Sequence, residues 1–313
     1  MKTRRASWLN GFLAILYYEF LWNLRKKKIL GLFILVFTIV TLFLGLPPLL
    51  DYINGVTLTK NPNTVTDFFS GFIGIFLFLI AVAATMNTIS GEFETGTITP
   101  LLTKPVSKNT VFVGKIVASV LTLLAIYAFL TVYVVVAALV IEGSQNNLEL
   151  AALGLLGMTV ATVVWASIVI LLGTVSKSSL VSALGSFGVY IGLTIAGAIL
   201  GSVYGQTTIL FYGPGNGATG STSGCGGGEG TTFSTGTDNL GYLLIQLVLQ
   251  PNTVLNYCGV RFRGGMPTEL FTSSSGTIAD AALRALGVSG AYIIILLLAS
   301  WYAFHRSQIV ESA

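Results

Sequence analysis

Residues 116–141, IVASVLTLLAIYAFLTVYVVVAALVI, form a run of 26 positions without a charged residue. As an α-helix this run is about 39 Å long, which exceeds the roughly 30 Å hydrocarbon core of a bilayer. Backbone amides cannot stay unpaired in lipid, so an apolar run of this length crosses as a helix. The run therefore predicts a transmembrane segment.

The rest of the chain repeats this pattern. Only 9% of its 313 residues are charged and 53% are hydrophobic, with a mean hydropathy of +0.83. A soluble domain carries roughly 25% charged residues, because its surface must be wetted. We therefore predict an all-α polytopic membrane protein with six transmembrane helices. The five other apolar runs are residues 29–50, 68–90, 150–175, 178–203 and 285–304.

The distribution of lysine and arginine predicts the orientation, because cytoplasmic loops carry the excess of basic residues. With the N-terminus inside, only Lys60, Arg261, Arg263 and Arg284 face outward. The other 12 of the 16 basic residues then lie inside, so we expect a multi-pass protein of the plasma membrane with both termini cytoplasmic. The net charge of +4 reflects this orientation and the attraction of anionic lipid headgroups, and no patch for nucleic acid is present.

The segments between the spans complete the predicted organisation. An apolar, aromatic helix at residues 7–24 ends in a block of four basic residues, which favours a membrane-interface anchor or, beyond that, a contact with a cytoplasmic partner. Pro47 and Pro48 are expected to kink or stop the first span. The predicted parts are a cytoplasmic N-terminus (1–28), spans one to five (29–203) with a cytoplasmic loop (91–115), an extracytoplasmic segment (204–284), span six (285–304) and a cytoplasmic tail (305–313).

The extracytoplasmic segment contains a stretch rich in Gly, Ser and Thr. These types fill 19 of the 25 positions in residues 213–237, so we expect a flexible excursion there and a better packed part at 239–266. Residues 240–260 are uncharged and are either a partly embedded segment or a seventh span. The first is favoured, because polar residues and Pro251 interrupt the run. Cys225 and Cys258 are predicted to form a disulfide in an oxidising space, the alternative being two free thiols.

The cytoplasmic loop, GEFETGTITPLLTKPVSKNTVFVGK at residues 91–115, has a pattern of its own. Thr99 and Pro100 suit the start of a short helix, and Pro105 disfavours its continuation. Ser107 is placed to cap the next helix, which runs into span three. The pattern predicts a small helix along the inner membrane surface, which is either a docking element for another protein or an ordinary charged connector.

This loop resembles the corresponding loop of type-2 ABC exporter permeases, in particular the class that includes the multicopper-enzyme-maturation permease. The resemblance implies two permeases, as a homodimer or a related heterodimer, and two separate ABC ATPase subunits that bind ATP and Mg²⁺. It also implies that spans two and five line the substrate path, although core packing explains the same residues. Met86 and Asn87 are the candidate path residues, and an apolar or amphipathic cargo fits these walls. The residues implied in coupling to the ATPase are Glu92, Glu94, Gly96, Thr97, Leu101, Leu102, Lys104, Pro105 and Lys108.

Other classes of function are disfavoured by what the sequence lacks. No phosphate-binding loop of an ATPase is present, because Gly114-Lys115 is followed by Ile116 and lacks the preceding glycine. His305 is the only histidine, so we predict no metal site, no catalytic residue and no cofactor in this chain. An ion-coupled carrier remains an alternative, although no charged residue lies in the middle of a predicted span. A non-transporting structural or assembly protein is the other.

Overall fold

A computed structural model describes residues 8–25, 28–55, 60–71, 74–96, 107–202, 208–225, 230–263 and 266–306. Six helices are long and apolar enough to cross a membrane, which confirms the predicted polytopic fold. These are Leu30–Ile53, Gly74–Thr95, Lys108–Ile141, Leu148–Ser176, Ser179–Gly201 and Ile278–Arg306. The helices are α1 (Trp8–Arg25), α2 (Lys28–Ile53), α3 (Thr64–Gly71), α4 (Gly74–Thr85), α5 (Ser90–Thr95), α6 (Lys108–Ile141), α7 (Ala151–Ser176), α8 (Ser179–Ser202), α9 (Leu240–Leu249) and α10 (Ile278–Arg306).

The bundle is built around α7, which contacts α4, α6, α8, α9 and α10. In the most apolar 18-residue stretch of α7, 72% of the residues are buried, whereas in the corresponding stretch of α8 only 6% are buried. Both helices are strongly hydrophobic. The large side chains of Trp165 on α7 and Tyr127 on α6 are fully buried. Helix α7 therefore forms the core, whereas most of α8 faces outward.

Two details of the spans differ from prediction. Pro47 and Pro48 do not end the first span, because α2 continues through both to Ile53. The second span is preceded by α3 and is interrupted at residues 86–89, after which α5 begins. The hydroxyl of Ser90 donates to the carbonyl of Met86, which satisfies one backbone acceptor at this interruption.

The predicted interface helix α1 packs against α6 and α2. Gly114 makes the closest approach possible, because a Cβ there would lie 2.9 Å from Cγ2 of Ile15. The side chains of Leu13, Tyr17 and Tyr18 are exposed. Such residues suit the headgroup layer of a membrane.

The segment before the last helix contains a four-stranded antiparallel sheet, which sequence analysis did not predict. Its strands are β1 (Thr219–Ser221), β2 (Thr232–Ser234), β3 (Val254–Arg263) and β4 (Met266–Thr277), in the order β2-β1-β3-β4. Gly220 pairs with both Phe233 and Tyr257. The predicted disulfide between Cys225 and Cys258 is present, with a Cα–Cα distance of 5.5 Å.

The expectation of a flexible excursion at 213–237 is wrong for the part that the structure describes. Thr235 and Gly236 donate backbone hydrogen bonds to Ala218 and Asn216. A Cβ at Gly236 would lie 2.1 Å from the carbonyl oxygen of Gly215, so the two chains approach more closely than any other residue permits. Glycine here permits tight backbone packing rather than disorder.

Residues 240–260 do not form a seventh span. Helix α9 has ten residues, about 15 Å, and the chain continues as β3. It packs beside α7, and a Cβ at Gly157 would lie 2.5 Å from Cα of Gly241. The structure therefore has a short helix packed beside α7 in place of a seventh span, and the embedding of this segment in the membrane stays a prediction.

Candidate functional site

Two groups of polar side chains lie at different levels of the bundle. The first, which we call the basic-face junction, consists of Lys115, Glu19 and Glu92 and joins α6, α1 and α5. The ammonium group of Lys115 on α6 is buried and pairs with Glu19 on α1 and Glu92 on α5. A buried charge is tolerated when it is paired and hydrogen-bonded, as here. The junction therefore fixes the end of the second span against its neighbours.

Glu94 binds the start of α8. Its carboxylate accepts a hydrogen bond from the backbone N–H of Ser179 at 2.7 Å and one from the hydroxyl of Ser178 at 3.0 Å. The hydroxyl of Ser179 donates to it as well. A carboxylate in the first turn of a helix satisfies free N–H groups and is favoured by the helix dipole. Glu94 thus links the second span to the fifth, and α5 ends at Gly96, whose φ is 68°.

The remaining loop residues are only partly described. Thr97, Leu101, Leu102, Lys104 and Pro105 lie outside the described residues, as does the predicted helix. Ser107 caps α6 as predicted, since its side chain accepts from the backbone N–H of Thr110 at 3.1 Å. Lys108 begins α6 and is exposed.

The two helices predicted to line the path meet through aromatic rings. The ring of Phe78 on α4 stacks on that of Tyr190 on α8 with 4.7 Å between centroids. Trp165 of α7 lies 5.2 Å from Tyr190 and 5.6 Å from Phe78. The predicted path residues Met86 and Asn87 lie apart from these rings, at the interruption after α4, where Asn87 is exposed.

Asp238 forms the second polar group, which we call the embedded carboxylate. Its Oδ1 accepts a hydrogen bond of 2.8 Å from Nε1 of Trp165, and the residue is 6% exposed. A Cβ at Gly74 would lie 2.1 Å from its Oδ2, so the glycine leaves room for the carboxylate. Burial raises the pKa of the Asp238 carboxyl to about 6, although hydrogen bonds from Trp165 and Thr237 oppose the rise.

The depth of Asp238 within the bundle follows from the position of Trp165, its hydrogen-bond partner. Trp165 lies 14 positions from the start of α7 and 11 from its end, about 21 Å and about 16 Å along the axis. Tyr190 is equally near the middle of α8. The segment before α9 therefore carries a carboxylate to the middle level of the bundle, although no span contains it.

A cavity of about 370 Å³ opens beside the embedded carboxylate. Asp238, Trp165, Tyr190 and Asn216 contribute to its lining. The other side is formed mostly by apolar and small residues of α8 between positions 193 and 200, and by residues near 209–217. Cavities of this size hold small ligands. This one has an apolar wall and a charged end.

Sequence analysis missed Asp238 and Trp165. It placed Asp238 in the extracytoplasmic loop, and it considered only residues inside the spans when it excluded charge at mid-membrane. The available signal was the uncharged run that begins at Leu240, two positions after Asp238. A partly embedded helix draws the residue before it into the bundle as well.

The comparison with protein families gives one match. A family model described as "ABC-2 family transporter protein" matches residues 13–309, which is nearly the whole chain. No match was found among curated proteins.

Proposed function

The chain belongs to the ABC-2 transporter family, and we propose that it is the membrane-spanning permease subunit of an ATP-driven exporter. Two permeases, identical or related, form the substrate path in the plasma membrane, with both termini cytoplasmic. Each rests on a separate ABC ATPase, which binds ATP and Mg²⁺. The loop between spans two and three transmits movement of the ATPase to the path.

The linkage through α5 is the observation that carries this proposal. The loop at 97–106 follows α5 directly, and α5 is bonded to both of its neighbours. Glu94 holds the start of α8, and Glu92 holds Lys115 of α6. A displacement of the loop therefore acts on α8, a predicted path helix, without passing through flexible chain.

Leu101 and Leu102 provide the test of docking. Burying both leucines in a groove contributes roughly 3–5 kcal/mol by area, before the losses of association. We expect Leu101→Asp with Leu102→Asp to detach the ATPase or to uncouple its hydrolysis from transport, with membrane insertion unchanged. The measurements are copurification of the ATPase and transport by reconstituted vesicles.

A matched control keeps the added charge but leaves the leucines in place. Thr99→Asp with Thr103→Asp puts the same two negative charges in the same loop, and we expect the ATPase to stay bound. An intact complex with undiminished transport after the leucine changes contradicts the proposal and makes the loop a connector.

Glu94 distinguishes transmission from docking. Glu94→Gln weakens the acceptor at the start of α8 and leaves residues 97–106 unchanged, so we expect the ATPase to remain bound while hydrolysis no longer drives transport. Glu149→Gln, an exposed acid at the opposite end of the bundle, is the control. Equal transport by both variants contradicts this route.

A further inference from the structure

Among the side chains that the structure describes, none supplies a counter-ion to the embedded carboxylate. Among the described residues, ion pairs occur only at Lys115. Arg284, a basic residue in the same half of the bundle, lies over the ring of Phe211 at 3.8 Å instead. A buried charge without a partner is costly, so the site favours a cation or a proton beside Asp238.

The position of Asp238 adds a second observation. It lies level with the middle of α7 and α8, next to a cavity that extends along α8 toward the sheet. Ionisable residues at mid-membrane depth are expensive and usually serve binding or transport. A side chain at position 74 would meet both Asp238 and Asn216, so the glycine leaves room for these two polar groups.

The aromatic rings beside Asp238 favour an organic cation over a metal ion. The face of a tyrosine ring attracts ammonium groups, and the half-buried Tyr190 lines the cavity, while the buried Trp165 holds the carboxylate. No group of three or more His, Cys, Asp or Glu residues suited to a metal occurs in the described part of the chain. The apolar wall of α8 is suited to the hydrocarbon part of such a ligand.

We propose that Asp238, Trp165 and Tyr190 form a binding site for an organic cation at the middle level of the bundle. The carboxylate, held by Trp165, pairs with the charged nitrogen, the ring of Tyr190 contacts its substituents, and α8 contacts the apolar remainder. If the chain is the exporter proposed above, organic cations are its substrate class. The binding site itself does not depend on that proposal.

Choline and its uncharged isostere 3,3-dimethylbutan-1-ol test the site, since they have the same shape and differ in charge. Binding is measured on the full chain in dodecyl maltoside, a detergent without a cationic headgroup. We expect choline to bind and the alcohol to bind at least tenfold more weakly. Equal binding of both compounds, or binding of neither, overturns the proposal.

Two variants locate the site. Asp238→Asn keeps the size of the side chain and an oxygen for Trp165, and we expect it to weaken choline binding at least tenfold. Asp51→Asn removes an exposed acid at the end of α2 and should leave binding unchanged. Unchanged binding after Asp238→Asn, in a protein that elutes as the wild type does, overturns the proposal.

A variant in the α8 lining of the cavity tests the site even if Asp238→Asn does not fold. A Cβ at Gly197 would meet its nearest atom only at 3.8 Å, so Gly197→Leu adds bulk to the cavity without disturbing Asp238. We expect choline binding to be lost, and retention of wild-type affinity contradicts the site.

The choline-binding measurement requires neither ATP nor an ATPase. If choline binding depends on Asp238 but no ATPase drives transport, the binding site is supported and the exporter proposal is contradicted. If transport is driven by ATP but choline does not bind, the exporter proposal is supported and the binding site is contradicted.

Discussion

Two regions of the bundle hold buried charge in opposite ways. At the basic-face junction, Lys115 is buried between Glu19 and Glu92, so the chain itself supplies the partners of this cation. Beside Gly74, at the start of α4, the embedded carboxylate of Asp238 has a hydrogen bond from Trp165 and no described cation. A buried charge that is paired within the chain fixes helices to each other, whereas one without a described counter-ion is suited to receive something from outside.

This comparison also separates how the two regions are held. The junction joins helices through ion pairs, and the segment with the sheet is joined by backbone packing and the Cys225–Cys258 disulfide. Charge compensation is needed where a charged side chain is buried between helices. A covalent link is useful where the chain has few large apolar side chains to bury.

The largest expected effect is all-or-none and concerns the side of the membrane on which each segment lies. Thr219→Cys, in the sheet, should react with an impermeant maleimide added to intact cells, and Thr95→Cys, beside Gly96, should react only after permeabilisation. The 12-to-4 distribution of basic residues is the reason. The native cysteines form the disulfide and give no background. Labelling of Thr95→Cys from outside reverses the topology.

Lys115→Met is expected to have the largest effect on stability. It leaves Glu19 and Glu92 close together without a cation, and breaking a buried pair costs about 3–5 kcal/mol. Thermal unfolding in detergent measures the loss. Lys108→Met, an exposed lysine two turns earlier on α6, should change little.

The same variant offers a rescue. Adding Glu19→Gln and Glu92→Gln to Lys115→Met removes the repulsion, so much of the lost stability should return. If the single change is as harmless as Lys108→Met, the junction does not fix the helices, and the contrast with Asp238 fails.

Removal of the disulfide should act locally. Cys225→Ser with Cys258→Ser frees a loop whose ends are 33 positions apart, which costs about 4 kcal/mol by chain entropy. The loss should fall on the sheet, because the spans are held by other contacts. Limited proteolysis should therefore cut between the two positions, while the six spans stay protected. Cleavage within the spans at the same rate contradicts separate anchoring.

The smallest expected effect concerns pH. The pKa of Asp238 rises from 3.8 to about 6 on burial, so the folded protein binds more protons than the unfolded chain between these values. The free energy of unfolding should therefore rise by about 1 kcal/mol as the pH falls from 7 to 5. Thermal unfolding at both pH values measures this, and the difference between wild type and Asp238→Asn isolates the residue. A wild type that loses the same stability as the variant on acidification shows that the carboxylate is not buried as described.

The sequence by itself determined the number of spans, because charge-free runs of about 20 residues or more leave a helix no environment except lipid. It also determined the cap at Ser107, which depends on neighbouring residues alone. The sequence also disfavoured a seventh span at 240–260, since polar residues interrupt that run.

Only the tertiary structure decided the rest. The sheet depends on glycines that pack backbone against backbone, and glycine-rich composition looks the same whether a chain is loose or tightly packed. Asp238 meets Trp165 across 73 positions. Its depth is set by the close contact of Gly157 with Gly241, which places α9 beside α7. Hydropathy reports whether a segment spans the membrane, but the level of a loop that dips into the bundle depends on which helices it packs against.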